Sequence, residues 1–180
     1  MTTQFHQWYQ ELQVERTIKA LKKNNFDGRF FPKASEALEE LWKMIPEGAS
    51  LGIGGSVTLN QIGFFEAVQK RPVKLLNPFA KGLSMEEADK IRREIFSAEF
   101  FLCSSNAVTE DGKIYNIDAT GNRVAAMIFG PKKVILICGA NKIVKDIAEA
   151  QKKVQEWVAP MNVKRIGLKP PCGQTGECSD

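Results

Sequence analysis

Between Ser104 and Ile147 the chain gathers Asn106, Thr109, Glu110, Asp118, Asn122, Arg123, Asn141 and Lys142 beside turn-forming glycines and between apolar runs. A plain core needs no such set, whereas loops at the ends of buried strands need it if they hold a small anionic ligand. Glu110 is the one carboxylate that lies between these loops in sequence. It is therefore the candidate general base or nucleophile, against the plainer reading of an exposed hairpin residue beside Asp111. Arg123, in the loop Asp118-Ala-Thr-Gly121-Asn122-Arg123, sits at a predicted helix start, where a cation opposes the helix dipole. That placement implies a partner: Asp118, Glu110, or a ligand carboxylate or phosphate. Lys142, in Gly139-Ala-Asn141-Lys142, is placed either to reach an anion or to point into solvent.

A second candidate loop lies upstream, in Gly52-Ile-Gly54-Gly55-Ser56-Val-Thr58. Its glycines permit close backbone approach, and Ser56 can cap the helix that follows or bind an anion. The order is not the dinucleotide fingerprint, because a third glycine is missing. Nor is it a phosphate-binding Walker loop, because no Gly-Lys-Ser/Thr follows. His6 is the only histidine, with no Ser or Asp partner evident by pattern, which weighs against a Ser-His-Asp hydrolase and against histidine-rich metal sites. Cys103 and Cys138 lie in apolar runs and read as buried, inert thiols. Cys172 and Cys178 lie in a Gly/Pro-rich tail and read as half of a metal, iron–sulfur or redox site. Two thiolates do not complete a tetrahedral site, so further donors would have to come from elsewhere; the plainer reading is two flexible thiols.

These loops need strands and helices to position them. Residues 5–24, 35–45 and 143–158 carry apolar positions at helical spacing, the last run closed by Pro160. A single helix is expected over 57–70, and another from the capping box Ser84-Met-Glu-Glu87 to about residue 97. Residues 26–31 read as a short aromatic strand. Further strands are expected at 49–53, 73–76, 100–103 and 134–138, the last fully buried. Asp111-Gly112 predicts a hairpin between 107–109 and 113–117, and 122–129 a short helix ended by Gly130 and Pro131. The alternation predicts an α/β fold, a mainly parallel sheet covered by helices with a late antiparallel hairpin. One domain over 1–180 is the simplest organisation, with an N-terminal helix within 1–25 and a cysteine-bearing tail over 160–180.

The chain has 180 residues and 43% apolar composition, enough to bury roughly 70% of its unfolded surface without staples. Its 25 Lys and Arg against 21 Asp and Glu give a net charge of +4, mixed along the chain. With no basic run interleaved with aromatics, nucleic acid is not an expected partner. The polar start is unlike a signal peptide, and the longest apolar runs fall far short of the ~20 residues a bilayer needs. A cytoplasmic protein with no membrane partner is expected. Phe5, Trp8 and Tyr9 on the first helix suggest a homodimer.

Residues 106–150, NAVTEDGKIYNIDATGNRVAAMIFGPKKVILICGANKIVKDIAEA, together with GIGGSVTL and the tail PPCGQTGECSD, resemble the lactate utilization (LUD) domain family of the LutC/YkgG type. The most specific parts are Thr120-Gly-Asn-Arg-Val124 and Gly139-x-Asn-Lys142. The resemblance implies a ribose-phosphate isomerase/CoA-transferase-like (NagB/RpiA/CoA-transferase-like) fold. It also implies a part in oxidising lactate to pyruvate, as one component of an iron–sulfur oxidoreductase system with iron–sulfur subunits as partners. Family tails resemble P-C-x-x-T-G-x-C-x-D-C, of which this chain carries Cys172, Thr175, Gly176, Cys178 and Asp180. A cluster or metal is implied only if further cysteines are supplied. The residues implied for a ligand are the loop residues already named. A stand-alone isomerase or acyl-transferase-like enzyme, with phosphate or CoA at Gly52–Ser56 and Glu110 as base, and a non-catalytic interaction module are the alternatives.

Overall fold

The computed structural model describes residues 3–178. In chain order its elements are α1 (Thr3–Lys23), α2 (Ala34–Met44), β1 (Ser50–Ile53), α3 (Val57–Gln61), α4 (Phe64–Val68), β2 (Lys74–Leu76), α5 (Met85–Glu94) and β3 (Phe100–Cys103). There follow β4 (Ala107–Thr109), β5 (Ile114–Tyr115), α6 (Asn122–Ile128), β6 (Lys133–Leu136), β7 (Ile143–Val144), α7 (Ile147–Lys153), α8 (Ala159–Ile166) and α9 (Cys172–Thr175). Contacts gather into two compact units. One comprises the stretch up to Arg29, Ser105–Ile117 and the stretch from Ala140 on; the other comprises Phe30–Ser104 and Asp118–Gly139.

The second of these units is built on a four-stranded, all-parallel sheet in the order β2-β1-β3-β6. Strand side chains alternate between faces, and here both faces are covered, which is why β1 after Ser50 and all of β3 carry no polar side chain other than the Cys103 thiol. Leu51, Ile53 and Leu102 join Leu41 and Trp42 of α2, Ile45 just past its end, and Leu59, Phe64 and Val68 of α3 and α4 on one side. Phe101 and Cys103 join Leu76, Ile95, Ala98 and Ala126 on the other. Trp42 stacks on Phe64 with ring centroids 5.6 Å apart, and the Arg71 guanidinium lies 5.1 Å over the indole. Gly52 belongs to the Ile95 side, where a Cβ would come within 2.8 Å of that side chain. The first residue of β1 and the residue before β3 clasp each other: Ser50 N–H donates to Glu99 Oε2 at 3.1 Å, and Glu99 N–H to Ser50 Oγ at 2.9 Å. The expected capping box opens α5, with Ser84 Oγ accepting from Glu87 N–H and Glu87 Oε2 from Ser84 N–H.

The other unit holds a three-stranded sheet in the order β5-β4-β7. The Asp111-Gly112 turn joins β4 to antiparallel β5 as expected, and β7 adds in parallel to β4. Ala107, Val144 and Ala150 form its small core with Tyr115 against them. Gly112 has φ +81, and a Cβ there would lie 2.6 Å from the Ala20 carbonyl carbon of α1, so the hairpin packs on backbone.

Several expectations need correction. Residues 26–31 form no strand; Asn25, at φ 64, winds the chain off α1, and Phe26 N–H donates back to Leu21 O at 2.9 Å. The expected single helix over 57–70 is two short helices, broken at Gly63, φ 76. The strand expected at 134–138 is Lys133–Leu136. It is half-buried, not fully buried, because it pairs with β3 on one side only at the sheet edge. Cys138 therefore lies past the strand and is half-buried, not sealed in the core as Cys103 is. The expected helix over 143–158 begins as β7, and Pro160 does not close it. A π-helical stretch over Val154–Val158, with Ala159 N–H donating five residues back to Val154 O, leads into α8 with a buried Pro160 in its first turn. Proline has no N–H to give and crowds the preceding turn; the wider turn before it relieves both demands.

Gly112→Ala should therefore cost far more stability than Gly167→Ala in the same unit. Both positions carry positive φ, worth about 1–2 kcal/mol to a side chain, but nothing lies within 4 Å of a Cβ at Gly167. Urea denaturation of the two variants should separate them by about 1–3 kcal/mol of overpacking.

Candidate functional site

The predicted residues divide between the two units. In the parallel-sheet unit, the carboxyl ends of β1 and β3 and the start of α6 come together. Arg123 is the centre of that cluster. Its Nε and Nη2 donate to Asp118 Oδ1 at 2.9 and 2.7 Å, and its Nη1 donates to the Ser104 carbonyl at 2.6 Å. The two side chains are only 12% and 10% exposed. Helix α6 opens on Gly121, φ 78, which has no side chain to cap it. Asp118 supplies the cap from three residues upstream, its Oδ2 accepting from Val124 N–H at 2.8 Å. One carboxylate thus satisfies a helix donor, complements the dipole and neutralises the cation that would otherwise oppose it. Of the two carboxylates within the chain that the sequence offered to Arg123, Asp118 pairs with it.

The glycine loop packs against this cluster. A Cβ on Gly54 would meet Cys103 Cβ at 2.9 Å and Arg123 Cγ at 3.3 Å, and one on Gly55 would meet the Phe79 ring at 3.3 Å. Ser56 is a helix cap, its Oγ accepting from Leu59 N–H at 3.2 Å. Asn122 Oδ1 accepts from Thr120 Oγ1 at 2.6 Å. Ser104 Oγ lies 3.7 Å from Cys138 Sγ as a weak hydrogen bond. Phe79, Ser104 and Cys138 join the loop residues singled out by type, and position after a buried strand was the signal for Ser104.

In the other unit, Asn106 clips the hairpin: its Oδ1 accepts from Ile117 N–H at 3.0 Å, and its N–H donates to Asn116 Oδ1 at 3.2 Å. Lys142 Nζ donates to the Ser105 carbonyl at 2.7 Å, while Ser105 Oγ donates to the carbonyls of Ala107 and Tyr115. Asn141 offers its carbonyl to Lys153 Nζ at 2.6 Å. Glu110 is bound by two residues of α1, with Arg16 Nε at 2.9 Å and Gln13 Nε2 at 2.9 Å. These hydrogen bonds, Arg16 first, hold its carboxyl below the ordinary value of 4.5. A general base at neutral pH needs the opposite shift, so the observed geometry suits a tether for α1. Arg16 and Gln13 stand 94 and 97 residues away in sequence, beyond any local pattern.

The tail cysteines sit around the short helix α9 and Gly176, φ 81. Cys178 lines an open groove of about 580 Å³ with Gln155, Glu156, Thr175, Gly176 and Glu177. Among the described residues no group of three or more His, Cys, Asp and Glu converges to hold a metal. Cys172 and Cys178 alone do not fit a cluster or a tetrahedral metal, and Asp180 lies outside the described residues.

Two outcomes follow. Asp118→Ala should destabilise the fold by about 3–5 kcal/mol, because it strands a buried guanidinium. Asp118→Ala/Arg123→Met should recover part of that loss in chemical denaturation. For Glu110, a depressed folded-state pKa means a stabilisation fully present above the unfolded glutamate value and lost as pH falls through the lower folded one. The stability difference between wild type and Glu110→Gln should be flat from neutral pH to about pH 5 and shrink steadily below 4.5.

No helix among the described residues is long and apolar enough to cross a membrane. Compared directly with curated proteins, the sequence finds no match. The model of the LUD domain, by contrast, matches residues 14–180, a span that takes in both units, the glycine loop, the Asp118–Arg123 pair and the tail cysteines. The chain belongs to the LUD domain family, whose domain is associated with lactate utilization.

Proposed function

We propose that this chain is a component of an iron–sulfur oxidoreductase system that converts lactate to pyruvate, contributing a bound anionic ligand or a docking surface and not the oxidation by itself. Family membership over nearly the whole chain carries the reading. The tail supports it, since Cys172 and Cys178 supply two thiolates where a tetrahedral centre takes four; a cluster held there would draw its remaining ligands from a partner subunit. Iron–sulfur chemistry, when supplied, would accept the electrons that leave the substrate. The chain's own part is to present two thiols beside an open groove and a rigid rim of loops at the strand ends.

The stand-alone enzyme is the weaker reading on geometric grounds. Gly52 and Gly54 make room for Ile95, Cys103 and Arg123, Ser56 caps a helix, and Glu110 is held ionised by Arg16. Anaerobic co-expression with iron–sulfur subunits of a lactate-oxidising system tests the choice. The tagged chain should bring down an assembly that reduces an artificial electron acceptor with lactate, whereas the chain alone should not. Cys172→Ser/Cys178→Ser should lower the iron content of that assembly, and Glu110→Gln should leave its turnover within about twofold. Turnover of an acyl-CoA or sugar phosphate by the isolated chain, abolished by a folded Glu110→Gln variant, would overturn the proposal.

A further inference from the structure

We propose that two copies of this chain form a closed pair in which the first turns of α1 on each copy pack against the outer face of α8 and the π-helical stretch on the other. Residues 4–11 of α1 are exposed, and the helix becomes anchored only from Val14 and Thr17 onward. On that free portion Phe5, Trp8 and Tyr9 fall at i, i+3 and i+4, each more than half exposed. Trp157 and Met161 repeat the pattern at i, i+4 on the outer face of the other segment, with Trp157 64% exposed and Leu168 half exposed just beyond it. Side chains of this size are exposed at a cost of about 1.5–3 kcal/mol each relative to burial, and grouped exposure of this kind marks an interaction surface.

The charges choose the occupant. Residues 3–15 contain Glu11 and Glu15 and no lysine or arginine, and the next residue, Arg16, lies 6.0 Å over the Tyr9 ring and is paired with Glu110. Residues 154–169 contain Lys164, Arg165 and Lys169 against one carboxylate, Glu156. Glu11, Glu15, Lys164, Arg165 and Lys169 all belong to exposed residues. The acidic aromatic segment is therefore complementary to the basic aromatic one. An anionic bilayer would suit α8 but would repel the Glu11 and Glu15 turns and leave the α1 aromatics uncovered. A second copy covers both patches at once, and the reciprocal contact closes on itself with no unmatched surface left to extend a chain.

Light scattering on the full chain at low salt should give a mass near twice 20.1 kDa. Glu11→Lys/Glu15→Lys and Lys164→Glu/Arg165→Glu should each weaken association at least about tenfold, through lost pairing and new like-charge contacts. The four changes combined should restore the dimer. Unchanged circular dichroism shows that each variant is folded, because the altered side chains are all exposed. A wild type that stays monomeric at high concentration overturns the proposal, and does so in favour of a membrane surface if that monomer binds phosphatidylserine vesicles through Lys164 and Arg165. A dimer indifferent to both reversals, a four-fold variant that stays monomeric, or an open series of larger species also overturns it.

Discussion

A guanidinium at the rim of a parallel sheet cannot be taken out of water without a carboxylate, and the parallel-sheet unit is organised around meeting that demand. Asp118 faces Arg123 with one oxygen and the amide of Val124 with the other. The same arginine reaches the first carbonyl beyond β3. The end of a buried strand is thereby held in register with a segment that follows it by more than a dozen residues, the loop before α6 and the first turn of α6. Gly54 follows from the same constraint, since a side chain there would press on both Cys103 and the arginine stem. Such a pair gives little net stability beyond what two apolar residues would give; what it gives is one permitted arrangement of the rim.

The polar residues that look like ligand-binding groups therefore have structural uses as well. Ser56 caps, Asn106 clips, Lys142 and Lys153 brace carbonyls, and Glu110 fastens α1. Within each unit, side chains satisfied in this way are fixed in place by the partners they hold.

What could be read from the sequence was whatever depended on neighbours within a few residues. Ser84 and Glu87 announce a helix start, Asp111-Gly112 a hairpin, and Phe100–Cys103 a strand buried on both faces; all three are found. Arg123 with Asp118 was half legible, because a cation at a helix start demands an explanation and the carboxylate stood five residues away. Pairings across long separations were not legible. Nothing around Ile143-Val144 says that it will join β4, and nothing near Glu110 points to Arg16. Local rules also misled where a neighbouring element overrode them: Pro160 reads as a stop until a widened turn precedes it, and the aromatic run at 26–31 reads as a strand although no partner strand is there to take it.

The widened turn has a longer reach than its five residues. An α-helix advances about 100° per residue, so the extra residue accommodated over Val154–Val158 sets which way everything beyond it faces. Shortening the segment by one residue would leave the helix continuous but rotate α8 and α9 about their common lead-in by roughly that angle. Trp157, Met161 and the tail thiols would then be aimed in new directions with no change to any of them. The orientation of the cysteine-bearing end of the molecule is thus encoded in chain length upstream of it, and an insertion or deletion there would re-aim the thiols without replacing either of them.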